Sequence, residues 1–453
     1  MNRRSVSVLS GALALGSGLA GVSVVGCSSG SSNPLAPIQA AQKANVGNFS
    51  NTVFLGDSLT AGFQSGSLLD TLQVNGWAPL VAKQGKFNIV QPLIAYPGAP
   101  NVLQLVSVNP LVITTVCPPS GTPNVCATTT GRDNFATQVT DLAVPGALLN
   151  DVMNTVPLVN PAAGQQQLNQ LVLGFPGLGY GQALSQLGQA IQAQPTTIFL
   201  WIGNNDALIA DETGMPSSMT PVATFTTQYQ ALMTQLQTMT PAHLVIGNIP
   251  DVTQVPYLTP AALVLGEVSQ ETGLPTSVLS GILGIVPGDY VNPTGTAEIP
   301  LILAGTQKGP ITDSGVLSAA EVVTVQAQVT AFNQVIAQAA QGAGATLVDI
   351  NALFKQVTES GLTINGYTGT TAFLGGFFAL DGIHPTNTGY AVVANAFIDT
   401  MNSSIKTTIP DVSLSAVAAA DPLWPPNLAG HARGHALMMP SSAGKSVDPL
   451  FKR

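Results

Sequence analysis

Three side chains of this sequence are suited to act together: Ser58, His384 and Asp381. Ser58 follows Thr52-Val53-Phe54-Leu55, four residues of β-branched and apolar character that read as a buried parallel strand, and the small polar turn that begins at Gly56-Asp57 can open a helix. That geometry places the hydroxyl at the carboxyl end of a strand, where open α/β sheets hold their ligands. It also places the Ser58 N–H in a first helical turn, where unpaired donors and the helix dipole favour an anion. Taken alone, Ser58 reads equally well as a helix N-cap. A serine hydroxyl becomes a competent nucleophile when an imidazole takes its proton, and the imidazole needs an acceptor to orient it. Asp381 and His384 lie three apart in Asp381-Gly382-Ile383-His384-Pro385, so one turn can bring the carboxylate to the ring. Gly146, in Val144-Pro145-Gly146-Ala147, and Asn205, in Gly203-Asn204-Asn205-Asp206, each stand just past a strand. A backbone N–H and a side-chain amide there can face an oxyanion. This is the set that ester cleavage requires, and it calls for no metal or cofactor.

Each residue also has a plainer reading. Asn205 can cap a helix, Gly146 can serve a turn, and Asp57 and Asp206 read as structural hydrogen-bonding residues. Of the four histidines only His384 has both a carboxylate upstream and a proline behind it. His243 begins a strand, and His431 and His435 fall in the C-terminal tail. The four segments in this order resemble the SGNH/GDSL hydrolases, a family of GDSL-type esterases and lipases. Gly56-Asp57-Ser58-Leu59 matches the segment that carries the family's nucleophile. Val144-Pro145-Gly146-Ala147 looks like the segment whose glycine gives an oxyanion N–H, although Asp141 stands where that segment often begins with Asn. Gly203-Asn204-Asn205-Asp206 fits Gly-x-Asn-Asp, which puts the oxyanion amide on Asn205 rather than Asn204. Asp381-Gly382-Ile383-His384-Pro385 fits Asp-x-x-His-Pro. The resemblance implies a flavodoxin-like three-layer αβα sandwich with a parallel sheet of about five strands. It also implies an oxyanion hole made by the Ser58 and Gly146 N–H groups and the Asn205 amide.

The elements that would position these residues can be read around them. Apolar residues at helical spacing over 180–194 end at Pro195, and Thr196-Thr197-Ile198-Phe199-Leu200-Trp201-Ile202 follows as a buried strand. A helix opening at Thr220-Pro221 carries Phe225, Tyr229, Leu232, Leu236 and Met239 on one face, and His243-Leu244-Val245-Ile246-Gly247-Asn248 is the next strand. Ser318-Ala319-Ala320-Glu321 is a capping box before the stripe Val322, Val325, Val329, Phe332 and Ile336, and a strand follows at 345–350. A last helix covers 388–401. Strands alternating with helices of this length indicate βαβ units. Residues 251–317 break the rhythm. They read as an insertion leaving the end of the sheet that carries Ser58, either a wall or lid for an acyl chain, a surface elaboration, or a subunit contact.

Composition sets the compartment and excludes some partners. With 13 basic and 22 acidic residues the net charge is −9, which argues against nucleic acid. Arg3 and Arg4 precede an apolar, Gly- and Ala-rich stretch that ends at Val24-Val25-Gly26-Cys27, which resembles the lipobox of bacterial lipoproteins. Residues 1–26 therefore read as a lipoprotein signal peptide cleaved before a lipidated Cys27, the alternative being a transmembrane anchor. Residues 27–48 read as a flexible tether, 49–408 as the catalytic domain, and 409–453, Pro- and Ala-rich without periodicity, as a disordered tail. Cys117 and Cys126 remain, and in an exported protein two cysteines favour a disulfide. The sequence thus predicts a lipid-anchored, extracytoplasmic serine esterase acting on a small-molecule or lipid ester in the bacterial cell envelope. The rivals are a carbohydrate deacetylase using the same residues and a catalytically silent envelope protein that binds glycan or lipid.

Overall fold

The structure is a computed structural model and describes residues 43–135, 137–178, 183–428 and 437–451. The expected signal peptide, Cys27, Tyr180, His431 and His435 lie outside the described residues. The last residues of the expected tether are not free of the domain, since the Ala44 N–H donates to the Pro241 carbonyl at 2.7 Å.

A parallel sheet of four strands runs through the centre: β1 (Thr52–Gly56), β2 (Thr197–Trp201), β3 (His243–Gly247) and β4 (Thr346–Val348), in that spatial order. About five strands were expected. The fifth position, beside β1, is held by residues 140–144, joined through one parallel bridge between Phe54 and Asp141. Phe54 N–H donates to Thr140, and Leu142 and Val144 donate to Phe54 and Gly56. Pro145 then ends the pairing, because it brings no N–H.

Alternate side chains of the strands enter opposite layers, as the pleat requires. Val53, Leu55, Ile198, Leu200, Leu244 and Ile246 pack in one core with Leu187, Phe225, Leu232, Phe332 and Ile336. Those residues come from helices α3 (Gln186–Ala193), α5 (Val222–Met239) and α6 (Ala319–Ala343). Phe54, Phe199, Trp201 and Val245 face the other core, with Trp77 of α2 (Trp77–Gly85) and Phe397 of α8 (Asn387–Ser404). The Phe54 and Phe199 rings stack at 4.6 Å and those of Trp77 and Phe397 at 4.0 Å. The remaining helices beside the site are α1 (Ser58–Ala61), α4 (Asn204–Thr213) and α7 (Ile350–Ser360). Ser318 and Glu321 form the capping box of α6. The helix expected over 180–194 begins later, where the Ser185 hydroxyl caps α3 by accepting the Gly188 N–H. The stretch between Ser58 and Gly146 holds an unforeseen hairpin of Leu103–Val108 and Leu111–Thr115, and Cys117 and Cys126 are joined in a disulfide just beyond it.

Residues 251–317 build a small three-stranded antiparallel sheet and the helices Ala261–Thr272, Thr276–Leu283 and Pro293–Leu303. Val264, Leu265, Leu279, Leu283, Ile299 and Ile302 form a separate core there. These apolar residues thus hold the insertion together.

The tail corrects the sequence reading most. Residues 409–428 and 437–451 are ordered against the domain rather than disordered. Leu414–Ala420 is a helix capped by Ser413, and Trp424 is 2% exposed beside Phe377 and Tyr367. The Asp421 carboxylate accepts the Thr388 N–H at 2.8 Å in the first turn of α8. The anchors are single large side chains spaced among prolines, so no periodicity announces them. Among the described residues no helix is long and apolar enough to cross a membrane.

Candidate active site

β1 ends at Gly56, whose N–H and carbonyl are both held by the Gln186 side-chain amide. Asp57 is the N-cap of α1: its carboxylate accepts the Leu59 N–H at 3.0 Å and the Asn204 amide at 2.8 Å. This fixes Ser58 in the first turn beyond the strand and ties its loop to the one that follows β2. Burial pushes the Asp57 carboxyl up to about 6, against the pull of the Asn204 and Leu59 hydrogen bonds and the nearby His384 charge.

Asp206 joins two more loops. One carboxylate oxygen accepts the Leu149 N–H at 2.8 Å and the other the Thr220 hydroxyl at 2.6 Å. Asn205, 2% exposed, donates from its amide to the Ala147 carbonyl at 2.9 Å, next to Gly146. Gly146 sits at φ +77°, a conformation that suits glycine, and the Leu450 carbonyl lies where a side chain would be. Asp57 and Asp206 thus serve as hydrogen-bonding supports. Their partners bring the loops of Ser58, Gly146 and Asn205 to one end of the sheet.

The loop of Asp381 and His384 is fastened to the segment just after α1. The Gln64 amide donates to the Pro385 carbonyl and the Tyr390 hydroxyl to the Phe63 carbonyl. Asp381 Oδ1 accepts the N–H groups of Ile383 and His384, while Oδ2 accepts the Gly66 N–H at 2.7 Å and faces His384 Nδ1 at 3.1 Å. Burial alone would raise the Asp381 carboxyl. The charge and hydrogen bonds of His384, with the Ile383 N–H, outweigh it and hold the group below the usual carboxylate range. An ionised Asp381 can only accept, so Nδ1 carries a proton, and in the neutral ring the lone pair is then on Nε2. Nε2 is buried, with no hydrogen-bond partner among the described residues. The Phe63 ring lies 4.6 Å from the imidazole.

Ser58, Asn204 and Asn205 line an apolar cavity of about 90 Å³ whose other walls include Trp201, Leu208, Val255, Phe354, Phe378 and Ile383. From the insertion's side only Val252 and Val255, at its base, reach this cavity. Among the described residues no group of three or more His, Cys, Asp or Glu is placed to hold a metal ion. Sequence reasoning did not find Gly66, Gln64 or Gln186. These reach the site through a backbone N–H and two glutamine amides, which have no motif. His243 lies away from the site, its ring bonded to the Thr346 hydroxyl.

A parallel α/β domain with a buried serine, a carboxylate-oriented histidine and a neighbouring amide at its strand ends has the build of a serine hydrolase. Residues 52–397, well over half of the chain, match the family of GDSL-like lipases/acylhydrolases, and the chain belongs to it. It is therefore an ester hydrolase at the level the family defines. Solved structures similar to it include an acetyl xylan esterase from Geobacillus stearothermophilus, at 11% identity over 79% of this chain and 96% of that one, with a TM-score of 0.35. Another is phospholipase A1 from Streptomyces albidoflavus, at 14% identity over 79% and 99% of the two chains, with a TM-score of 0.33. No curated protein matches the chain in sequence.

Proposed function

We propose that the protein is a lipid-anchored, extracytoplasmic esterase that hydrolyses carboxylic esters with a short apolar acyl group through an acyl-enzyme on Ser58. The observation that carries this reading is the apolar cavity opening at Ser58 and Asn205, beside the Asp381–His384 pair. Ser58 Oγ attacks the ester carbonyl and its proton passes to His384 Nε2, the nitrogen that Asp381 leaves unprotonated. The oxyanion is met by the Ser58 and Gly146 N–H groups and by the Asn205 amide, which has a second N–H besides the one given to Ala147. The C–O bond to the leaving alcohol breaks as His384 returns the proton. Water, deprotonated by the same nitrogen, then releases the acid and restores Ser58.

The lipobox-like Val24-Val25-Gly26-Cys27 supports anchoring at Cys27, and the Cys117–Cys126 disulfide supports an oxidising compartment. The deciding experiment is turnover of p-nitrophenyl acetate and butyrate by the wild type and by Ser58→Ala. Hydrolysis that survives Ser58→Ala would refute the mechanism. Activity confined to acetylated sugars would favour a carbohydrate deacetylase.

A further inference from the structure

Little of the catalytic centre is exposed. Ser58 is 4% exposed, His384 1% and Asp381 0%, and His384 Nε2 is buried. An ester has to bring its carbonyl carbon to Ser58 Oγ and its leaving oxygen within reach of His384 Nε2, and His384 does not line the cavity at Ser58, so something must move before the leaving group can reach that nitrogen. Residues 437–451 lie across the loops that would have to open. Met439 Sδ fills the place of a side chain on Gly382, between Asp381 and His384. Ser446 does the same at Gly66, whose N–H holds Asp381 Oδ2, and the Leu450 carbonyl does so at Gly146. One short segment therefore meets all three of these glycines by backbone-close approach.

Its sequence is built for the purpose. Met439, Ala443, Val447 and Leu450 repeat at intervals of four, four and three, and all are buried in the core that also contains Phe63 and Ala147. That periodicity gives one apolar face, so the groove beneath it is apolar as well. The outer side is held by the insertion. The Met438 N–H donates to the Glu267 carboxylate at 3.0 Å, and Gly444 packs against Pro293. Residues 251–317 thus hold the segment that covers the site and contribute little to the cavity itself.

Resting on the ester-hydrolase reading above, we propose that residues 437–451 are a removable strap occupying the binding groove for a second, apolar limb of the ester. The acyl group takes the cavity at Ser58, and the other limb takes the place of Met439, Val447 and Leu450. The strap is then a built-in competitor of the substrate. Only the fraction of molecules with the strap displaced binds, so the apparent KM is raised by the reciprocal of that fraction while kcat is untouched.

The test uses the full chain with Met439→Ala and Leu450→Ala together, and separately with Glu267→Ala, which loosens the strap from outside the core. Hydrolysis of p-nitrophenyl butyrate and the rate of Ser58 labelling by a fluorophosphonate are measured. The strap predicts a KM at least tenfold lower and labelling at least tenfold faster for the double variant, a smaller change in the same direction for Glu267→Ala, and an unchanged kcat. Wild-type KM and labelling rates in both folded variants, or in Glu267→Ala if the double variant does not fold, would make the segment a fixed wall and overturn the proposal. Absence of both labelling and hydrolysis in every chain would instead reject the ester-hydrolase reading on which it rests.

Discussion

Phe354→Ala tests whether the cavity at Ser58 receives the acyl chain. Behind it lies a second apolar cavity of about 60 Å³, and Ile350, Phe354, Phe378, Pro385 and Val393 line both. The Phe354 and Phe378 rings meet edge to face at 5.8 Å where the two cavities share a lining. The cavity is small and apolar, which suits an acyl group of a few carbons such as butyryl. Each buried methylene contributes up to about 0.8 kcal/mol, a factor of about four. For wild type, kcat/KM should climb about fifteenfold from acetyl to butyryl p-nitrophenyl esters and then fall. Removing the Phe354 ring joins the cavities and opens room for at least two more methylenes. The maximum should move to hexanoyl or octanoyl, with a further gain of about fifteenfold over the wild type on those esters. Phe354 is only half-buried, so the chain should still fold, which thermal unfolding will show. An identical chain-length profile in both proteins would refute the assignment of this cavity to the acyl group.

Ser58→Ala and His384→Ala should each lower kcat by several orders of magnitude with the fold intact, measured by steady-state hydrolysis and circular dichroism. Asn205→Ala should cost about 10²–10³ in kcat, and a loss under threefold would remove its amide from the oxyanion site. Asp141 is fully buried, and burial pushes its carboxyl up to about 8, only partly offset by hydrogen bonds from Ala143 and Gln91. Folding there favours the protonated form, so stability is greatest below the unfolded value near 4 and falls as pH rises toward about 8, by up to about 1.4 kcal/mol per pH unit. Tm should decline between pH 5 and pH 8 and flatten in Asp141→Asn. Asp381, held low, acts oppositely: its contribution is lost only as the solution becomes strongly acidic. Mass spectrometry of the protein from its native host should find Cys27 acylated at a new N-terminus, and an unprocessed Met1 would contradict the anchor.

The local chemistry of the site was legible in sequence because it depends on short-range geometry. A strand running into Gly56-Asp57-Ser58 and a carboxylate three residues before His384 are each fixed within one turn of chain. The βαβ order was legible too, since the periods of α5, α6, β2 and β3 are those of one-sided and two-sided burial. What tertiary structure decided are the contacts between distant segments. Residues 140–144 look like a strand, yet Pro145 and an edge position leave them a single bridge beside β1. Gly66, some 300 residues from Asp381, completes its hydrogen bonds through a backbone N–H, which leaves no motif in the sequence. Trp424, Met439 and Leu450 carry no signal beyond being apolar among prolines and small residues. Such residues look unstructured in sequence because their stabilisation comes wholly from surfaces made elsewhere in the chain, which pattern and propensity do not encode.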